Sequence, residues 1–323
     1  MVPTIKDVAK YAGVGVGTVS RVLNGGGSVN PSKREKVLSA VKALNYTPNK
    51  MASKLRKNET RSIALLVPII NHPFFADFAY YVEDEADKFG YSVILVSSQQ
   101  RVEKETDIIN RIRLREVDGA VFVTHYAHKA EEICDCPIVS IDRVFGGGIP
   151  YVTTDNYAAT KKAVEYLIGR GCKKVGFLGS KPIVGSEVSE RERAYEDVMK
   201  GSAREKRVVN EVILHGDERS LAEKFFDLYP DTDGAFVSGY TMARIFLSVA
   251  EKRGKKIPED IQMISYDGSF GQWHDDGAWT CIEQPIEKMA RAVVDILVKK
   301  IHGKDVETRY EFPTEFILGN TTL

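Results

Sequence analysis

The sequence predicts a small all-α head followed by a larger α/β body of two lobes, each built on a parallel sheet flanked by helices. Three observations carry that reading. Residues 4–24 form two short helical patterns joined by a glycine turn, residues 61–323 alternate strand-like and helix-like runs in two successive sets, and charge is distributed unevenly between these regions. The 323 residues balance 45 basic against 45 acidic side chains, but residues 1–61 hold twelve Lys or Arg against only Asp7, Glu35 and Glu59. The head is therefore +9 and the remainder −9. A basic segment on an acidic chain marks a module that meets phosphate backbones.

In the head, Thr4 and Asp7 have the spacing of a capping box, so the first helix is expected to begin at Ile5, with Ile5, Val8, Ala9 and Ala12 on one face. Gly13-Val14-Gly15 supplies a tight turn. Val19, Val22 and Leu23 then resume the apolar spacing while Thr18, Ser20 and Arg21 point elsewhere. Asn30-Pro31 starts a third helix, whose stripe of Val37, Leu38, Val41 and Leu44 is expected to close a core with Val8, Val19 and Leu23. Residues 49–57 combine helix formers with basic side chains and have little apolar surface to bury. Alone such a segment is expected to be largely disordered, folding only when DNA and a second copy share the ordering cost.

The body begins with strand patterns at Ile63–Val67, Val93–Val96, Ala120–Val123, Ile138–Ile141 and Val152–Thr154, with helices near Phe74–Phe89 and Glu103–Arg115 between the first three. A second set follows. Its strands are expected at Val175–Leu178, Val212–Leu214, Ala235–Ser238 and Met263–Tyr266, and its helices at Ala158–Ile168, Glu190–Met199, Leu221–Leu228 and Thr241–Arg253. This rhythm implies two parallel sheets with a cleft between them. Ile286–Ile301 has helical spacing and is expected to return to the first lobe.

Several chemistries find no support. Gly13 to Gly17 follows a helix and lacks the strand context of a dinucleotide loop, residues 179–186 lack the Gly-Lys-Ser/Thr of a P-loop, and there is no G-x-S-x-G nucleophile elbow. His125, His128, Cys134 and Cys136 could in principle ligate zinc, but an intervening helix pattern favours a cleft-edge loop and two buried thiols, so no metal is expected. No cofactor is expected either. The N-terminus has no signal-peptide core and no run is long and apolar enough to span a membrane, which places the expected protein in the cytoplasm.

Asp7-Val8-Ala9, the Ala12-Gly13-Val14 turn and Thr18 to Asn24 closely resemble the helix-turn-helix of LacI/GalR-family regulators, and the likeness continues through Asn45-Tyr46, Pro48-Asn49, Ala52, Leu55, Asp142-Arg143, Asp155-Asn156 and Pro313-Thr314-Glu315. The resemblance covers essentially the whole chain. It implies a helix-turn-helix domain at 1–48, a hinge helix at 49–61, and a periplasmic-binding-protein-like body at 62–323. Its N-lobe would comprise about 62–155 plus 286–312, and its C-lobe about 156–285 plus 313–323, with three crossings between them.

By the same resemblance, the second helix enters the major groove of a palindromic operator. Val16 and Gly17 occupy the specificity positions, Arg21 reads guanine, and Thr4, Thr18, Ser20, Asn24 and Asn30 bind phosphates. Tyr46, Asn49, Ala52 and Ser53 join the interface, and Leu55 wedges between base steps, unless it only packs against its dimer mate. Gly15 stands where a serine is usual. In the cleft, Arg191, Asp267 and Gln284 match polar ligand positions, with Phe74, Tyr240 and Trp273 as apolar neighbours. Arginine facing carboxylate suits sugar hydroxyls, with a structural salt bridge across the lobes as the lesser alternative, while the three aromatics could equally be core or lobe packing. Gly239-Tyr240 replaces the usual Asn-Asp pair and Glu218 an aromatic. The implied function is a homodimeric repressor, not an enzyme, released by a sugar effector. Corepression and a cytoplasmic sugar-binding role without DNA control are the alternatives. The absence of a heptad tail after the last strand favours a dimer without a tetramerisation segment.

Overall fold

A computed structural model describes residues 3–23, 28–46, 59–99, 101–123, 128–182, 185–212, 216–268 and 279–323. The chain divides into two compact units, Met1–Thr60 and Arg61–Leu323. In the first, α1 (Ile5–Ala12), α2 (Val16–Leu23) and α3 (Pro31–Ala43) enclose a core centred on Val8, Val19, Val37 and Ala40, all fully buried. Asp7 accepts hydrogen bonds from the Thr4 backbone N–H at 2.8 Å and the Thr4 hydroxyl at 2.7 Å, fixing the start of α1. Gly13 ends that helix in the left-handed region, where a side chain would be strained.

The expected stripe on α3 needs one correction. Leu38 is exposed, and Ala40 takes its place inside, because positions 37, 40, 41 and 44 lie on one helical face and position 38 is about 100° away from 37. Leu23, Val41, Leu44 and Tyr46 pack at the rim of this core.

The body holds, among its described residues, two six-stranded sheets. The first contains β1 (Ser62–Val67), β2 (Ser92–Ser97), β3 (Gly119–Phe122), β4 (Ile138–Ile141), β5 (Tyr151–Thr154) and β11 (Arg309–Phe312), in the order β11-β5-β4-β3-β1-β2 and parallel throughout. The second contains β6 (Val175–Ser180), β7 (Val208–Glu211), β8 (Gly234–Val237), β9 (Gln262–Tyr266), β10 (Cys281–Glu283) and β12 (Glu315–Ile317), in the order β12-β10-β9-β8-β6-β7. Only β12 runs antiparallel to its neighbour. Central strands such as β1 are buried on both faces and so read as continuous apolar runs.

Helices α4 (Pro73–Lys88), α5 (Val102–Arg113) and the short α6 (Ala130–Ile133) belong to the first set, and α7 (Asn156–Gly169), α8 (Ser189–Gly201), α9 (Glu218–Leu228) and α10 (Tyr240–Lys252) to the second. The long α11 (Ile286–Ile301) returns to the first sheet and buries Met289, Ala290, Val293 and Leu297 with Phe78 and Val82 of α4. Comparison of the two strand orders places three crossings at residue 155, residues 284–285 and residues 313–314. Asp155 caps α7 at the first crossing by accepting from Ala158 N–H at 2.9 Å.

The strand expected at Val212–Leu214 lies instead at Val208–Glu211, where Val209 pairs in register with Leu178 and is buried. Val212 is exposed, and residues 213–214 lie outside the described residues. Burial in the head separates two tests. Val19→Ala should cost about 2 kcal/mol and melt the small head before the body, whereas Leu38→Ala should leave it unchanged. Calorimetric scans resolving the two units check this, and equal effects of the two substitutions would refute the core assignment.

Candidate functional site

Between the lobes, at the carboxyl ends of β1, β4, β6, β8 and β9, lies a cavity of about 630 Å³. Open α/β sheets present ligands with their sites at this edge. Arg191, from the first turn of α8, is buried in the floor, with its guanidinium carbon 3.3 Å from the centre of the Tyr266 ring. Its Nε donates to Asn156 Oδ1 at 2.6 Å. No carboxylate forms an ion pair with it among the described residues, so the cross-lobe salt bridge considered for Arg191 and Asp267 is not formed.

Asp142 and Asp267 flank the same cavity, each on the residue immediately after a strand, β4 and β9 respectively. Both have left-handed backbones, with φ of 55° and 63°. Aspartate tolerates that region better than most residues, and the turn aims each carboxyl off its strand. Thr153 Oγ1 donates to Asp142 Oδ1 at 2.6 Å, and Gln284 Nε2 donates to Asp267 Oδ1 at 2.9 Å. Burial raises the pKa of both carboxyls against the opposing field of Arg191, pushing Asp267 up to about 6. Thr154 shares a 2.7 Å hydrogen bond with the Tyr266 hydroxyl and donates to Gln284 Oε1 at 3.4 Å, while Asn156 Nδ2 reaches Thr153 Oγ1 at 3.2 Å. Through Asn156 Nδ2, which also donates to Thr154 O at 3.0 Å, a single partly buried network joins both carboxyls, the guanidinium and two of the crossings.

Five of the six expected ligand residues, Phe74, Arg191, Tyr240, Asp267 and Gln284, line this cavity, and Trp273 lies outside the described residues. Tyr240 is nearly buried, stacked 5.4 Å from Trp279 and edge-on to His72 at 5.7 Å. Asp142, Arg143, Lys181 and Glu218 also line the cavity. Asp142-Arg143 is legible only as part of a family motif, and nothing in its spacing ties it to a ligand. His128 is hydrogen-bonded to buried Glu105 at 2.7 Å, Cys134 is exposed, and burial pushes the Cys136 thiol up to about 11. No metal-binding cluster occurs among the described residues, and His125 lies outside them.

Residues 4–49 match the family described as bacterial regulatory proteins of the lacI family, and residues 60–318 match the periplasmic binding proteins and sugar binding domain of the LacI family. This chain belongs to the LacI family. It is a DNA-binding transcriptional regulator. The ribose operon repressor of Halalkalibacterium halodurans is 35% identical over 99% of this chain and 97% of its own, and the sucrose operon repressor of Streptococcus mutans is 30% identical over 99% and 100%. Among solved structures, the lac repressor dimer bound to operator and the anti-inducer ONPF shares the fold with a TM-score of 0.86 at 21% identity, covering 100% of both chains. The CelR–cellobiose complex gives 0.72 at 27% identity, covering 99% of both.

In the head of this LacI-family regulator, Val16 and Gly17 are exposed at the start of α2, and a Cβ on Gly15 or Gly17 would meet no atom within 4 Å. Gly15 offers no capping side chain, so only its carbonyl engages the helix, accepting from Thr18 and Val19 N–H. Arg21 is exposed, with Nε donating to Gly17 O at 3.3 Å, and Thr18 and Ser20 are half-buried. The Thr4 hydroxyl proton is committed to Asp7, and a phosphate would have to displace that bond. Asn30 caps α3 by accepting from Ser32 N–H at 3.0 Å, while Tyr46 packs on the core. Asn24, Asn49, Ala52, Ser53 and Leu55 lie outside the described residues.

The raised Asp267 pKa has a signed consequence. Its stabilising contribution is complete below the unfolded value near 3.8 and is lost as pH rises through about 6. Asp267→Asn, which tolerates the same backbone and can still accept from Gln284, should raise the melting temperature of the ligand-free protein at pH 7 and leave it nearly unchanged at pH 4. Parallel scans at the two pH values test this, and equal shifts at both would contradict it.

Proposed function

We propose that the protein is a homodimeric, cytoplasmic repressor of a carbohydrate-utilisation operon whose operator affinity is set by a sugar in the inter-lobe cleft. The carrying observation is the buried Arg191 guanidinium, without an ion pair among the described residues, lining one cavity with the partly buried carboxyls of Asp142 and Asp267 and joined through Asn156 to the first crossing. Sugar hydroxyls both donate and accept, so a polyol can complete the hydrogen bonding of all three groups. Ribose and sucrose are the first ligands to try, from the names of the two relatives. No nucleophile, general base or cofactor cradle is part of this reading, and the protein is proposed not to be an enzyme.

The mechanism follows from linkage. Ligand bridging the lobes changes the arrangement of Thr154, Asn156 and Gln284, which lie at or beside two crossings. Lobe rotation then alters the dimer geometry that lets two hinge segments fold on the operator, with Leu55 prying its centre. DNA must reciprocally weaken the ligand by the same factor. On the operator, Val16 is proposed to contact a thymine methyl, Gly17 to allow close approach, and Arg21 to bond guanine. Thr4, Thr18, Ser20, Asn24 and Asn30 are proposed to hold phosphates, with Tyr46, Asn49, Ala52 and Ser53 in the hinge interface.

Two measurements test these roles. Saturating sugar should weaken binding to an operator fragment, whereas stronger binding would mean corepression and no change would remove the allosteric link. Arg21→Ala should lose about 1–3 kcal/mol of discrimination between operator variants, and an unchanged ranking of those variants would exclude Arg21 as the base reader.

A further inference from the structure

A second cavity, of about 470 Å³, opens beside the cleft and shares Ile69, Asn71, His72, Tyr240 and Thr241 with it. The two hollows differ in charge balance. Asp142, Asp267 and Glu218 line the inner one together with Arg143, Lys181 and Arg191, whereas the outer one carries Arg219 and Arg244 and, among the described residues, neither Asp nor Glu. Arg219 projects from the first turn of α9 and has no hydrogen-bond or ion-pair partner among the described residues, while Arg244 on α10 leans over the Tyr240 ring at 6.0 Å. The outer hollow also holds hydrogen-bonding side chains on Asn71, Thr241 and Ser248. Helix α10 begins at Tyr240 without a side-chain cap on Gly239, so its dipole adds to the positive field.

We propose that the effector is a phosphorylated sugar: its hydroxyls occupy the inner cavity, and its phosphoryl group lies in the outer one between Arg219 and Arg244. Both guanidinium groups are exposed at one hollow, and a dianion there would accept charge-assisted hydrogen bonds from each. In the inner cavity the cations are offset by Asp142, Asp267 and Glu218, whereas no carboxylate among the described residues offsets Arg219 and Arg244, which favours the ligand's charged end in the outer hollow. The proposal rests on the cleft being the effector site and adds the ligand's chemical class.

Calorimetric titration of the full-length protein with D-ribose, D-ribose 5-phosphate, sucrose, sucrose 6-phosphate and D-ribonate tests it. One phosphorylated sugar should bind at least about tenfold more tightly than its free partner, and that ratio should fall to near one in R219Q/R244Q, whose thermal transition verifies folding. Equal affinities within each pair, a ratio that survives the double substitution, or a preference for ribonate would each overturn the phosphoryl subsite. If a free sugar then binds and D267N abolishes its binding, the sugar-responsive reading stands without the subsite. If none of the five compounds binds, both readings fall.

Discussion

A guanidinium buried without a paired carboxylate is the constraint on which the body of the molecule depends. Removing such a charge from water costs several kcal/mol unless other groups take over its solvation. Around Arg191 that role is divided among the Tyr266 ring, the Asn156 side chain and the field of two aspartates, contributed by both lobes and the first crossing. The compensation is incomplete, because the terminal nitrogens have no ion pair among the described residues. A ligand in the cleft could accept from those nitrogens and so complete the network.

The same network ties groups that line the cavity to the crossings between the lobes. Thr154, Asn156 and Gln284 are at or beside the crossings, yet their side chains bond to groups that line the cavity or support it. A rotation about the crossings must strain or break these bonds, all of which are largely buried, where an unsatisfied polar atom is costly. Packing supplies the rigid levers. The apolar clusters around α4 with α11, and around α9 with α10, make each lobe a close-packed body that resists local deformation.

The sequence makes much of this legible where local chemistry decides. The Thr4–Asp7 cap, the glycine turn before α2, the alternation of strands and helices, and the boundaries of α11 all follow from spacing alone. Tertiary pairing decides the rest. The run Val208 to Leu214 contains two candidate strands, and only registry with β6 selects the first. Leu38 and Ala40 differ in hydrophobicity in the sense opposite to their burial, because helix orientation outweighs residue type. Asp142 carries no spacing that links it to Arg191, since the two lobes bring them together across the cleft, and Lys181 reaches the same cavity from the end of β6. Trp279, stacked on Tyr240, is likewise not singled out by the sequence, where Trp273 is an alternative of the same kind.

The backbone beneath the two cleft aspartates also bears on how such a binding site can evolve. Both sit in the left-handed region, which aspartate, asparagine and glycine enter at lower cost than most residues. Asparagine would keep that backbone and a polar side chain while exchanging an acceptor for a donor at the same place. Each lobe therefore offers one position, Asp142 or Asp267, at which a single exchange would rewrite the hydrogen-bonding character of the cavity wall and leave the chain path unaltered.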